Sequence, residues 1–123
     1  MSLQIRWLRV VGGAVLIEVA LFVVAVPLNM SENGRSVLLA VVVPLCVVAA
    51  FLGGWWVARG SEGLPLLHGL LAGALAALIY GALTWKVALP TAYIVANYLK
   101  LVAGAGGGAV APLFPPKRST LAK

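Results

Sequence analysis

Four stretches of this 123-residue chain, 7–28, 37–58, 64–84 and 90–112, are apolar almost without interruption and are joined by short polar connections. Each reaches the roughly 20 residues that an α-helix needs to cross the hydrocarbon core of a bilayer. Together they nearly fill the chain and leave no length for a water-soluble catalytic domain. Composition points the same way: 63% of the residues are hydrophobic and 10% are charged, whereas a soluble domain carries about 25% charged residues. The expected fold is all-α: a polytopic membrane protein with four transmembrane helices in an up-down bundle with short loops. Residues 1–116 are expected to form one transmembrane domain, followed by a basic flexible tail over 117–123.

The formal net charge of +6 would suit a nucleic-acid partner only if the basic residues shared a solvated face. They sit instead at the ends of the apolar runs, where they determine topology and anchor to anionic headgroups. The expected partner is therefore the lipid bilayer, not nucleic acid. Four crossings put Arg6, Arg9, Arg59, Lys117, Arg118 and Lys123 on one side and only Arg35 and Lys86 on the other. By the positive-inside rule both termini are cytoplasmic. Trp7, Trp55 and Trp56 then fall at the inner boundary and Trp85 and Tyr93 at the outer one, where amphipathic rings prefer to sit. The first run is too long for a signal-peptide core and carries Glu18 centrally, so it reads as a retained helix. Pro44 should kink the second helix between Ala40 and Pro44. Pro65 suits the first turn of the third, and Pro112, Pro115 and Pro116 should end the fourth.

In lipid, close approach of helices depends on small residues. Gly69, Gly73, Ala77 and Gly81 recur every four positions in the third run. Ala92, Ala96, Gly104 and Gly108 share that register in the fourth, with Lys100 interrupting it. These stripes should be contact seams, within one chain or between two copies.

Two charges lie where lipid disfavours them. Glu18 is about 16 Å into the first helix, and Lys100 is about 18 Å from the inner end of the fourth, at 1.5 Å per residue. A charge at that depth costs about 2.5–3.5 kcal/mol, so Glu18 and Lys100 are expected to pair inside the bundle. Asn97, one turn before the lysine, should hydrogen-bond the pair, and Tyr80 or Tyr98 can add a hydroxyl. Such a pair either fixes helix register or lines a proton or substrate path.

Other polar groups are sparse. His68, the only histidine, falls near the inner interface, where hydrogen bonding to the Arg59 turn is expected. With one histidine and one cysteine, Cys46, and neither at metal-ligand spacing, no metal, haem or other cofactor is expected. Cys46 reads as a small buried hydrophobe. No Ser/His/Asp or Cys/His arrangement and no phosphate-cradling glycine loop is present in the sequence, so an enzyme is not expected.

Leu52-Gly53-Gly54, Ala58-Arg59, Gly63 and His68-Gly69-Leu70-Leu71-Ala72-Gly73 resemble a group of small bacterial four-helix membrane proteins of uncharacterised activity (YrzE-like). The resemblance covers the second and third helices well and the fourth loosely, and it implies a multi-pass protein of the bacterial plasma (inner) membrane. Trp55-Trp56 and Lys100 depart from that group's pattern. Locally, Gly12-Gly13-Ala14-Val15-Leu16-Ile17-Glu18-Val19 looks like the first helix of the small multidrug-resistance exporters, which would make Glu18 their proton-exchanging carboxylate. The six-to-two charge bias and Lys100 at the same depth depart from that family. Two functions follow as expectations. The first is a noncatalytic integral membrane protein acting by association with itself, lipid or a larger membrane complex. The alternative is a proton-coupled small-molecule transporter using Glu18.

Overall fold

A computed structural model describes residues 7–59 and 64–113. The expectations for Arg6, the turn at 60–63, Pro115, Pro116 and the basic tail at 117–123 fall outside these residues. Among the described residues the chain forms four α-helices, α1 (Trp7–Met30), α2 (Gly34–Arg59), α3 (Pro65–Leu83) and α4 (Thr91–Val110), followed by a short 3-10 turn at Ala111–Leu113. The four spans, the last counted through Leu113, are each long and apolar enough to cross a membrane. α1 and α2 are rich in valine, a middling helix former in water. Helix is nonetheless the conformation that satisfies every backbone N–H and C=O within one segment.

The first connection is tighter than expected, because helix replaces most of the polar loop. α1 runs to Met30, where the Ser31 backbone N–H and Oγ both donate to the Leu28 carbonyl at 3.3 and 3.1 Å. Gly34 starts α2 so close to that carbonyl that a methyl group at Gly34 would collide with it. Pro44 lies in the interior of α2, which continues through it as one helix. Leu64 precedes α3 in the left-handed region (φ 53°), and its carbonyl accepts from the His68 backbone N–H at 3.0 Å. α3 ends at Thr84, whose backbone N–H and Oγ1 both donate to the Tyr80 carbonyl at 3.0 and 2.7 Å.

Glycine sets how the helices meet. A methyl at Gly69 would lie 2.8 Å from Gly108 Cα, and one at Gly104 would lie 3.0 Å from Gly73 Cα. α3 and α4 therefore pack antiparallel with their backbones in contact. α2 closes on the other side of α4, where a methyl at Gly107 would lie 2.7 Å from the Trp55 backbone nitrogen and one at Gly54 2.9 Å from Gly104 Cα. Gly69, Gly73, Gly104 and Gly108 thus form a seam inside one chain. Gly81 departs from expectation: it is exposed, with nothing within 4 Å of where a Cβ would stand. Between the glycine contacts and that end, the Asn97 side chain of α4 bonds to the Ala77 carbonyl of α3.

α1 packs on α2 and α3. Gly13 lies against Val57, and Ile17 against Gly53. Arg9 locks this contact: its Nη2 donates to the Trp56 carbonyl at 2.6 Å, its Nε to the Val57 carbonyl at 3.2 Å, and its guanidinium lies 4.1 Å from the Trp56 ring centroid. It thereby supplies donors and positive charge to the C-terminal turn of α2, where the helix dipole is negative. Trp55 is covered similarly by Arg59, 4.6 Å from its ring centroid.

Candidate functional site

Glu18 stands midway along α1 and Lys100 midway along α4. Among the described residues, α1 and α4 are not a pair of helices in extended backbone contact. Two side chains bridge the space between them. Lys100 is 1% exposed and Glu18 4%, and Lys100 Nζ donates to Glu18 Oε1 at 2.6 Å. The small-residue stripe of α4 explains the direction of the lysine. Ala96, Lys100 and Gly104 lie on one face, all buried, and that face turns into the bundle.

The neighbours of the pair differ from those expected. Asn97 does not bond to it; its Nδ2 donates to the Ala77 carbonyl at 3.2 Å, because its position places it between α4 and α3. Its Oδ1 is buried without a hydrogen-bond partner among the described residues, and so is Glu18 Oε2. Tyr80 meets the lysine through its ring face, with Nζ 4.6 Å from the centroid, so it contributes a cation–π contact rather than a hydroxyl. Tyr98 is 71% exposed on the opposite side of α4 and takes no part.

A half-enclosed cleft begins at the pair. Glu18, Lys100, Asn97 and Tyr80 border it, and it extends past Val42 and Cys46 toward Leu38, Ala25 and Tyr93 at the end of the bundle that carries the first turn. Tyr93 is roughly 10 Å from Lys100 along the α4 axis. About 50 Å³ of the cleft is open to water-sized molecules, room for about three or four waters. Cys46 is buried against this cleft, so a residue expected to be mere packing borders the polar centre. The signal for it was a four-residue spacing, Leu38, Val42, Cys46, Ala50 and Gly54, all buried on one face of α2. In a helix that is apolar all round, that spacing does not stand out.

The hydrogen bonding expected between His68 and the Arg59 turn falls on residues 60–63, outside the described residues. His68 is fully buried, and its Nδ1–H donates to the Leu64 carbonyl at 2.9 Å. This carbonyl already accepts from the His68 backbone N–H, so the ring is fixed as part of the start of α3. The Arg59 guanidinium lies over Trp55. Among the described residues no group of three or more His, Cys, Asp or Glu side chains is placed to hold a metal ion.

The chain matches no protein-family model, no curated protein and no solved structure.

Proposed function

We propose that this chain is a small multi-pass protein of the bacterial plasma membrane, with both termini cytoplasmic, that works by association with itself, lipid or a larger membrane complex and not by catalysis. The observation that carries this reading is the closure of Lys100 on Glu18 at 2.6 Å. The two formally charged side chains buried among the described residues are committed to each other, which holds register between α1 and α4. The bundle then meets its surroundings through an apolar perimeter that includes Leu8, Val23, Leu78 and Val102. The resemblance of the α2–α3 region to the YrzE-like group fits this reading. Mild-detergent copurification with mass spectrometry tests it. A stoichiometric protein or lipid partner is expected; a lone symmetric oligomer that drives substrate exchange against protons in vesicles would overturn it.

A second reading, proton-coupled transport through Glu18, draws on one observation: the carboxylate borders a cleft and keeps one oxygen without a hydrogen-bond partner among the described residues. Reporter fusions at both termini discriminate. A single cytoplasmic orientation is expected of the association protein, and a mixed population of the dual-orientation exporter.

A further inference from the structure

Polar residues border the cleft beside the ion pair, yet its surface is almost wholly apolar. Glu18 Oε2 and Asn97 Oδ1 have almost no accessible area, and Lys100 is 1% exposed. What the cleft presents instead is Leu21, Phe22, Val42, Leu45 and the Tyr80 and Tyr93 rings. A trapped water needs about two to four polar partners, and an apolar cavity of roughly 150 Å³ stays dry and admits benzene. The cleft therefore stays dry even though waters would fit by volume. Its space of about 50 Å³ beside the pair holds about two carbons of a chain on the benzene scale, and the half-open remainder continues from there.

The cleft also has a direction. On one side of the pair the backbone contacts of Gly69 with Gly108 and of Gly54 with Gly104 close the bundle. On the other side the cleft follows α1 from Glu18 to Ala25, roughly 10 Å along the helix. Ala25 is roughly 7 Å short of the end of α1, and Leu38 roughly 6 Å inside the start of α2. The cleft thus lies within spans apolar enough to cross a membrane, with its base at mid-span and its rim, where Phe22 is 37% exposed, toward the first turn. We infer that it binds the distal part of a phospholipid acyl chain, with the terminal methyl against the Glu18–Lys100 pair. A lipid chain takes the same course, from the membrane boundary to the midplane. Entering the cleft brings no hydrophobic gain, because lipid is equally apolar. What holds the chain is dispersion contact with packed walls. A headgroup finds no hydrogen bond there, whereas an alkyl chain needs none. The chain in place keeps water from the pair and so keeps its attraction strong.

This rests on the membrane reading above and deepens it by naming where lipid is held. The test uses the full chain in phosphatidylcholine nanodiscs with two photoactivatable phosphatidylcholines, one carrying a diazirine at the end of an acyl chain and one near its carbonyl. Labels are mapped by mass spectrometry. We expect the terminal probe to mark the segments around Leu21 and Val42 about threefold more than those around Val19 and Val102, which are exposed on the perimeter at similar depth. The carbonyl probe should show no such excess near the pair. Ala25→Trp fills the cleft and should abolish the excess; the comparison of the two probes on the wild type decides the matter if circular dichroism shows this variant misfolded. Even labelling of cleft and perimeter, or stronger labelling beside the pair by the carbonyl probe, would overturn the inference alone. So would rapid reaction of Cys46, the only cysteine, with a water-borne, membrane-impermeant maleimide, because the cleft it borders would then be hydrated. Failure of the chain to enter nanodiscs would overturn the membrane reading and this inference with it.

Discussion

Removing one member of the Glu18–Lys100 pair should destabilise the bundle far more than removing both. At 2.6 Å and an effective dielectric near 20, the attraction is about 6 kcal/mol. Desolvating the two ions costs several kcal/mol each, so the net contribution of the pair is close to zero. A single replacement, Glu18→Leu or Lys100→Met, leaves the partner buried at 1% or 4% exposure with its desolvation uncompensated. The expected loss is about 3–5 kcal/mol for either. The double replacement removes both charges, substitutes apolar groups of similar length, and should fall within about 1 kcal/mol of the wild type. Reversible unfolding in mixed micelles, by stepwise addition of sodium dodecyl sulfate and followed by circular dichroism, yields the four stabilities of the cycle. A coupling energy below about 1 kcal/mol, with the single losses simply adding in the double variant, would refute the claim that these charges compensate each other. A double variant that folds normally yet has lost the ability to support its cellular role would show that the pair does more than fix register.

Three further outcomes follow from the packing, each read by the same unfolding assay. Gly104→Ala should cost about 1–3 kcal/mol, since its methyl meets the backbone of α3 and the helices must separate; Gly81→Ala, facing open space, should instead stabilise by about 0.5–1 kcal/mol, and equal effects at the two sites would disprove the seam. Arg9→Lys keeps the charge but loses the forked contact with the Trp56 and Val57 carbonyls; a loss of about 1–2 kcal/mol with altered tryptophan fluorescence is expected, and no change in either would show that Arg9 does not clamp α1 to α2. Leu64→Gly should be neutral to stabilising by about 1 kcal/mol, because glycine removes the penalty of the left-handed backbone; a clear loss would mean that the leucine side chain holds the start of α3.

Much of the scaffold can be read locally. A backbone in lipid satisfies its hydrogen bonds within one helix, and bilayer thickness sets the length of that helix, so long apolar runs separated by polar turns are enough to place α1 to α4 to within a few residues. Pro65 starts α3 and Pro44 lies inside α2, as their places in the apolar runs lead one to expect. The stripe of Ala96, Gly104 and Gly108 also identifies which side of α4 turns inward, and Lys100 shares that side.

What the sequence determined, then, is the set of helices, the matching depth of Glu18 and Lys100, and the inward face of α4, because these depend on spacing along one helix. The tertiary structure decided which faces meet. α1, α2 and α3 are apolar on every side, so hydrophobicity does not distinguish a lipid-facing side from a partner-facing one. Only packing reveals that Gly69 touches Gly108 while Gly81 touches nothing, and that Asn97 turns to Ala77 instead of the ion pair. The cleft is decided there too, since its walls come from all four helices, a geometry belonging to no single segment.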